Sequence, residues 1–281
     1  MNILYIILPV HNRKELTLEF INSLLKQSYK KIKLILVDDG SSDGTSDAVK
    51  KLIPDAVILK GNGDWWWAGS IQQGYKWIKA NVKTNEGVLI INDDLVFDED
   101  YLQKGMNYLE SNPSSLILSA AYSKHNHDYL EDCGVIYDFK TSEMNTMPVK
   151  QLDELNCAST RGLFMTTKDF MKTGGMHPVL LPHYFSDYEF TIRAKRKCGL
   201  NLKCFLDLKV YMDNSTSGIR EIEYKSFSEY VKKACDKRYK GSPVYTFNYF
   251  MLAFPFPHNV KLAFPYLKNF LKTSIRLIFK S

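Results

Sequence analysis

The chain has 281 residues, of which 45% are hydrophobic and 24% are charged. These fractions are typical of soluble folded proteins and exclude wholesale disorder, collagen-like repeats and a polytopic membrane protein. The net charge is +6, but residues 241–281 contain five basic residues and no acidic residue. Because the first 240 residues are therefore almost neutral, no nucleic-acid-binding surface is indicated.

The cysteines and the N-terminal segment indicate a cellular compartment. Five cysteines, an odd number without a close CxxC pair, predict reduced thiols in a cytoplasmic protein. The apolar run Leu4–Leu8 follows no basic region and precedes no small-residue cleavage site. We therefore expect a buried first strand here rather than a signal peptide.

Strand-length apolar runs alternate with helical patterns through the first 112 residues. The predicted strands, apolar enough for parallel strands buried on both faces, are Leu4–Leu8, Ile32–Val37, Val57–Leu59 and Val88–Ile91. The first predicted helix begins after Asn12 as its cap, the second ends before Pro54, and the third spans Gly69–Ala80. This alternation predicts an α/β fold with a Rossmann-like, mostly parallel sheet covered by helices on both faces.

Beyond residue 112 the pattern changes to short strands and loops. The predicted elements here are the strands Leu116–Ala121, Val135–Tyr137, Leu163–Thr166, Leu202–Phe205 and Lys209–Met212 and the helix Tyr188–Cys198. We expect mixed sheet added to the first half. The predicted domains are 1–240, with halves 1–112 and 113–240, and a basic amphipathic helical extension, 241–281, after a candidate linker near residues 240–243.

Three polar clusters follow predicted strands. They are Pro9–Arg13, Asp38–Ser41 and Asn92–Asp94. Ligands of open parallel sheets bind beyond the carboxyl ends of the strands, so these clusters are candidate site residues. No glycine-rich phosphate loop is present in the sequence, which favours a diphosphate held through a divalent metal. Taken singly, each cluster is also compatible with a turn that caps a helix.

The same segments carry a family resemblance. ILPVHNRKELTLEFINSLLKQSY, LILVDDGSSDGT and INDDLVFDEDYL, in this order, resemble the family-2 nucleotide-sugar glycosyltransferases of the GT-A fold. The resemblance runs from residue 3 to about residue 213. GNGDWWWAGSIQQGY resembles the rhamnosyltransferase-like subgroup. The resemblance implies a nucleotide-diphosphate-sugar donor, bound mainly by the half 1–112, and an acceptor and base half, 113–240.

The resemblance assigns nucleotide-binding roles to the first two clusters. Pro9, Val10 and His11 match the segment that lines the nucleobase pocket. Arg13 is the last residue of the same cluster and is a candidate for nucleotide-sugar binding with them. His11 stands where the family often has an aromatic residue that stacks on the base. Asp39 matches the acid that accepts a hydrogen bond from a ring N–H of the base.

The third cluster is implicated in metal binding by the same resemblance. Asn92–Asp94 matches the DxD motif, with an asparagine in place of the first acid. The resemblance therefore implies that Asp94 binds Mg²⁺ or Mn²⁺ and that Asp93 faces the ribose or the sugar. Asn62 and Gly69 match the loop and the helix start that approach the sugar diphosphate.

Asp187 is the candidate general base. It matches the second acid of an acidic pair that precedes a helix in inverting members, with Ser186 in place of the first. The alternative is an aspartate that caps this helix. After the last strand the family often has a metal-ligating histidine, where this chain has Met212 or Asp213, and Asp213 could supply an oxygen ligand.

Aromatic residues provide candidate acceptor contacts. Trp66 and Trp67 belong to three consecutive tryptophans, which cannot all face one core. They are predicted to form a wall on which a sugar stacks, or else to pack in part inside the domain. His183 and Tyr184, shortly before Asp187, are candidates for the same role or for loop packing.

The basic C-terminal segment predicts a surface-bound helix. In 261–281, apolar residues recur every three or four positions beside Lys268, Lys272, Arg276 and Lys280. An apolar face flanked only by cations suits an anionic membrane surface. We therefore predict a cytoplasmic protein peripheral to the inner face of the cell membrane. The alternative is a helix packed on the catalytic domain or in a homodimer.

These observations predict an inverting, metal-dependent glycosyltransferase that adds one sugar to a glycan or lipid-linked glycan during surface polysaccharide biosynthesis. Asp187 would deprotonate the acceptor hydroxyl, and the cation on Asp94 would stabilise the leaving nucleoside diphosphate. The alternatives are a nucleotidyltransferase and a degenerate module that binds nucleotide sugars or membranes without catalysis. Asn92 and Ser186, which replace family acids, motivate the last of these.

Overall fold

The computed structural model describes residues 1–213 and 226–279. Its strands are β1 (Leu4–Val10), β2 (Ile32–Asp38), β3 (Val57–Lys60), β4 (Gly87–Ile90), β5 (Ser115–Ser123), β6 (Leu130–Asp132), β7 (Ile136–Tyr137), β8 (Met144–Asn145), β9 (Leu163–Thr166) and β10 (Asn201–Met212). Its helices are α1 (Lys14–Leu25), α2 (Thr45–Leu52), α3 (Trp66–Asn81), α4 (Tyr101–Ser111), α5 (Thr167–Thr173), α6 (Ser186–Cys198), α7 (Phe227–Ala234), α8 (Pro243–Ala253) and α9 (His258–Ile278).

The main sheet is mixed. Its strand order is β10-β5-β9-β4-β1-β2-β3, with β6 paired to β5 at one side. Strands β1 to β4 pair in parallel, β9 runs antiparallel to both β4 and β5, and β10 is parallel to β5. The predicted α/β fold with a mixed sheet is confirmed.

Two apolar layers cover the faces of this sheet. Successive side chains of a strand point to opposite faces, so Ile6 and Leu8 pack in one layer with Phe20 of α1. Ile7 packs in the other layer with Ile71 of α3. All five side chains are fully buried. The continuous apolar runs of the sequence therefore correspond to strands buried on both faces.

Several element boundaries differ from those predicted. Helix α3 begins at Trp66 rather than Gly69, and the two strands predicted after residue 201 are the single strand β10. A register shift between Phe205 and Lys209 interrupts its pairing, which explains why its pattern reads as two strands. Asn12 does not cap α1, because Arg13 occupies the cap position. The sequence patterns also did not predict α4, α5 and α7, and they did not divide the predicted helical extension, 241–281, into α8 and α9.

The C-terminal segment packs in part on the preceding domain. Tyr249 and Phe254, in and directly after α8, are buried in a third apolar cluster with Tyr137 and with Ile192 of α6. Ser242, in the candidate linker, is fully buried and caps α8. The boundary between 240 and 241 stays a prediction. Among the described residues, no helix combines the length and apolarity required to cross a membrane.

Candidate active site

Parallel pairing brings the three polar clusters to one edge of the sheet. Val10 of β1 pairs with Asp38 of β2, and Ile7 of β1 pairs with Ile90 of β4. The carboxyl ends of these neighbouring strands therefore lie side by side, and the loops that follow them meet. This arrangement is the one that the sequence predicted.

A cavity of about 350 Å³ lies at this edge. Its walls are formed by Pro9, Val10, His11, Arg13, Asp39, Gly63, Trp66, Trp67, Ser70, Asn92, Asp93, Asp94, His183 and Arg238. The wall thus contains most of the predicted nucleotide-sugar residues and the predicted metal ligand Asp94. It also contains three of the four predicted acceptor residues, Trp66, Trp67 and His183. Among the described residues, the walls do not include the candidates Asn62, Gly69, Tyr184, Asp187 and Asp213.

Asp39 organises the loop between β3 and α3. Its carboxylate accepts hydrogen bonds from the backbone N–H groups of Gly63 and Trp66, both at 2.9 Å. The ring of His11 donates from Nδ1 to the carbonyl oxygen of Asp39 at 2.6 Å. At Gly61, a Cβ atom would lie 2.5 Å from Asp39 Oδ1, so a side chain there would clash with this arrangement. Asp39 is therefore both a wall residue and the anchor of the adjoining loop.

Arg13 joins the two aspartates of the third cluster. Its guanidinium lies 3.0 Å from Asp93 Oδ1 and 3.1 Å from Asp94 Oδ2. The hydroxyl of Thr17 donates to the other oxygen of Asp93 at 3.0 Å. Burial raises the pKa of Asp93 to about 6, against the opposing effect of the Arg13 guanidinium. Asp93 is thus held inside the wall, whereas the Asp94 side chain is 45% exposed.

The donor set suits a divalent cation that takes most of its ligands from substrate. Among residues 1–213 and 226–279, no three His, Cys, Asp or Glu side chains are grouped so as to hold a metal. Mg²⁺ is commonly held by one or two carboxylates together with substrate phosphates and water. Asp94 fits that role because its carboxylate is exposed at the cavity wall. Asp213 instead lies 3.3 Å from His125 Nε2, outside this wall.

The three tryptophans diverge, as the sequence required. Trp65 packs against the apolar layer beneath α3. Trp67 donates from its indole to Asn92 at 3.1 Å, which fixes its position in the wall. Trp66 contacts His183 edge to face, with 5.9 Å between ring centroids. Trp66 also adopts a left-handed backbone conformation with φ 56°, which is uncommon for a bulky residue and concentrates at functional sites.

His183 presents an unsatisfied ring nitrogen. Its Nδ1 atom is buried and has no hydrogen-bond partner among the described residues. Burial lowers the pKa of His183, which favours the neutral ring. Tyr184 contacts the His183 ring edge to face at 4.6 Å but lies outside the cavity wall. His183 is thus a wall residue with one buried ring nitrogen that no described residue satisfies.

Asp187 lies in the first turn of α6, four residues after His183. The cap position of this helix is Phe185, so the alternative interpretation of Asp187 as the cap residue is wrong. Its carboxylate accepts a hydrogen bond from the N–H of Tyr188 at 2.8 Å. Burial raises the pKa of Asp187 to about 6, although the nearby Arg161 opposes the shift. A carboxylate with this pKa can accept a proton near neutral pH.

Arg238 is a wall residue that the sequence patterns did not reveal. It belongs to the connection between α7 and α8, and its guanidinium lies 5.1 Å from the centroid of the Trp66 ring. An isolated arginine in a loop carries no periodic or motif signal. Only the fold brings it to a site whose other wall residues, apart from His183, belong to the first 100 residues.

Comparison with known proteins identifies the family. The model of glycosyl transferase family 2 matches residues 5–151, which is more than half of the chain. The chain belongs to glycosyl transferase family 2. The family resemblance read from the sequence is thereby confirmed.

A curated relative, Glycosyltransferase GlyG of Streptococcus pneumoniae serotype 4, is 23% identical over 141 residues, which are 49% of this chain and 44% of that protein. The match thus spans less than half of that relative's length.

Solved structures of other proteins have a similar fold. The mannosyltransferase PcManGT from Pyrobaculum calidifontis, in complex with GDP-Man and Mn²⁺, matches 98% of this chain and 75% of its own, with a TM-score of 0.57 and 14% identity. S. aureus TarS 1-349 in complex with UDP matches 94% of this chain and 70% of its own, with a TM-score of 0.58 and 15% identity. At these identities the similarity establishes the fold, and the predicted GT-A architecture is confirmed.

Proposed function

We propose that this chain transfers one sugar from a nucleotide-diphosphate sugar to a hydroxyl group of a glycan or a lipid-linked glycan, with inversion at the anomeric carbon. The observation that carries the proposal is the cavity at the carboxyl ends of β1, β2 and β4, whose wall contains His11, Asp39 and Asp94 together. Family membership favours this function over nucleotidyl transfer.

The cavity walls offer a distinct contact for each part of the donor. Pro9, Val10 and His11 would face the nucleobase, with Asp39 accepting a hydrogen bond from a ring N–H. Asp93 would lie near the ribose or the sugar, while Asn62 and Gly69 would support the loop that approaches the diphosphate. These roles are the ones that the family resemblance implies, and the residues lie in the wall, in the adjoining loop or in the first turn of α3.

Asp94 would hold Mg²⁺ or Mn²⁺, and such a cation, when bound, neutralises charge on the departing diphosphate. Arg13 already fixes the Asp94 carboxylate from one side, which limits the rotamers open to it. Asp213 is proposed as a further oxygen ligand, although its carboxylate is paired with His125 in this structure and would have to leave that partner.

Asp187 is the proposed general base. The acceptor hydroxyl loses its proton to the Asp187 carboxylate as its oxygen bonds to the anomeric carbon, and the bond from that carbon to the diphosphate oxygen breaks. The nucleoside diphosphate leaves with the bonding electron pair. The pKa of about 6 leaves Asp187 ionised at neutral pH, as this role requires. A single displacement inverts the anomeric configuration.

The aromatic residues beside the cavity are proposed acceptor contacts. Trp66 and Trp67 offer apolar rings for the C–H face of a sugar, and the ring of His183 lies in the same wall. Tyr184 would extend this surface. The resemblance to the rhamnosyltransferase-like subgroup favours a deoxyhexose or hexose donor and a role in surface polysaccharide biosynthesis.

A thermal-denaturation panel tests the donor assignment. A ligand that binds only the folded protein raises its melting temperature according to its affinity and concentration. UDP and GDP, each with and without Mn²⁺, are the first probes, because the similar structures contain UDP or GDP-Man. We expect at least one of them to stabilise the chain, more strongly with Mn²⁺. No stabilisation by any nucleoside diphosphate would contradict the proposed function.

Helix α9 is the proposed contact with an anionic membrane at the inner face of the cell membrane. Its apolar side chains Phe264, Leu267, Leu271 and Ile275 are exposed, and Lys268, Lys272 and Arg276 lie on the same helix. Lys280, the last residue of the predicted basic stripe, lies outside the described residues. Each basic residue near such a surface contributes about 1 kcal/mol. Such binding would place the enzyme beside a lipid-linked acceptor.

Vesicle sedimentation tests this contact without removing α8, which belongs to the buried apolar cluster. Substituting Lys268, Lys272 and Arg276 with glutamine should reduce binding to phosphatidylserine-containing vesicles by on the order of 100-fold. The matched control is Lys76, Lys79 and Lys83 to glutamine, on and just after α3, which removes the same charge elsewhere. Equal binding by both variants would overturn the membrane proposal. A concentration-dependent dimer without vesicle binding would favour the homodimer alternative.

A further inference from the structure

The connection between α7 and α8 is attached to the wall of the cavity. Lys237 Nζ lies 2.5 Å from Asp64 Oδ1, which ties this connection to the loop before α3. The next residue, Arg238, places its guanidinium 5.1 Å from the ring centroid of Trp66. A guanidinium held over an indole ring is favourable and restricts the motion of the side chain.

Hydrogen bonds and a ring contact also hold the two helices that flank this connection. The hydroxyl of Ser242 donates to the carbonyl oxygen of Ala234, and that of Tyr245 donates to the carbonyl of Cys235 at 3.0 Å. Tyr230 of α7 stacks on Phe270 of α9 at 5.5 Å between centroids. Arg238 therefore extends from a segment anchored at both ends.

The two arginines of the cavity differ in their charge balance. The Arg13 guanidinium is paired with Asp93 and Asp94, so its charge is offset within the wall. Arg238 is exposed, and among the described residues no carboxylate lies within 4.0 Å of its guanidinium. The closest acid in sequence, Asp236, accepts from the Arg238 backbone N–H and pairs with Lys233 at 3.0 Å. Arg238 thus contributes a positive charge that the cavity wall does not neutralise.

We propose that Arg238 binds the diphosphate of the sugar nucleotide, a contact that rests on the proposed function. The cavity wall contains three aspartates, which repel a diphosphate, and only one of its two arginines has no ion-pair partner in the part of the chain described here. A guanidinium matches phosphate oxygens with two parallel N–H donors. Arg238 would therefore hold the leaving diphosphate in the cavity whose wall also contains Asp94, the residue that would hold the cation.

Calorimetric titration of the full chain with UDP and with GDP, in the presence of Mg²⁺, tests this contact. Arg238→Gln should raise the dissociation constant of the nucleoside diphosphate by about tenfold or more, since it removes a charge-assisted hydrogen bond. Arg238→Lys keeps the charge but loses the paired donors, so its constant should lie between those of the wild type and Arg238→Gln. The matched control is Lys240→Gln, which removes a charge from the same connection outside the wall and should change the constant less than about twofold.

The outcomes separate this inference from the proposed function. Unfolding temperatures without ligand should agree to within about 3 °C in all four proteins, because Arg238 and Lys240 are exposed and the contact of Arg238 with Trp66 is weak at such a position. Equal affinity of wild type and Arg238→Gln would overturn the inference and leave the proposed function standing. The same holds if this variant raises only the KM of the acceptor, which would make Arg238 an acceptor contact. If the wild type binds no nucleoside diphosphate at all, both proposals fall.

Discussion

The two halves of the chain build the site in different ways. In 1–112, the residues of three strand ends lie in one cavity wall, because neighbouring parallel strands end at the same edge. In 113–240, the candidates Asp187 and Asp213 lie outside that wall. Strand order thus fixes the nucleotide-binding part of a site, whereas loops and helix starts determine where its acceptor and base lie.

The largest expected effect is that of a substitution at Asp187, in 113–240. Asp187→Asn should lower the rate of sugar transfer by about 10²- to 10⁴-fold, because a general base is lost while shape is kept. Binding of UDP or GDP should remain within about twofold of the wild type, because Asp187 does not belong to the described wall of the cavity. Initial rates and calorimetry measure the two quantities. Undiminished transfer would remove Asp187 as the base.

The pH dependence of the reaction also tests the role of Asp187, in 113–240. The pKa of Asp187 is raised to about 6 by burial, and only the ionised carboxylate accepts a proton. The value of kcat/KM should therefore be constant above pH 7 and fall about tenfold per pH unit below pH 6. The pKa of Asp93 is also near 6, so the pH dependence of nucleoside diphosphate binding must be measured as a control. A profile that is flat down to pH 5 would contradict the assignment.

A smaller effect tests how closely the first half is packed. Gly61→Ala places a Cβ atom 2.5 Å from Asp39 Oδ1 and 2.8 Å from the Trp65 ring. The free energy of unfolding should fall by about 1–3 kcal/mol, as for other overpacked sites. Urea denaturation measures this change, and Lys60→Ala, at the exposed neighbouring position, is the control. A stability equal to that of the wild type would mean that the loop around Asp39 adjusts freely.

The sequence predicted the parallel part of the fold because its strands are continuous apolar runs. Since Ile6 and Ile7 enter opposite layers, such a run specifies a strand buried on both faces. The strand-end clusters then specified which side chains meet. The continuity of β10 across residues 206–208 could not be predicted, because it depends on pairing with β5 on both sides of a register shift rather than on local pattern.

The remaining site contacts depend on tertiary structure. Arg13 meets Asp93 and Asp94 across 80 residues of sequence or more, and no spacing rule links such residues. Arg238 lies at the cavity in a connection that pairs with Asp64 through Lys237 and that leads into α8, which packs on α6. Interactions of this kind are set by the packing of whole elements, which a single sequence does not reveal.

A crystal structure of the full chain with UDP or GDP and Mn²⁺ tests the central claim most directly. The account predicts the nucleobase beside His11 and Asp39 and the diphosphate between Asp94 and Arg238, in the cavity at the carboxyl ends of β1, β2 and β4. A nucleotide bound at any other surface, with this cavity holding only solvent, would contradict it.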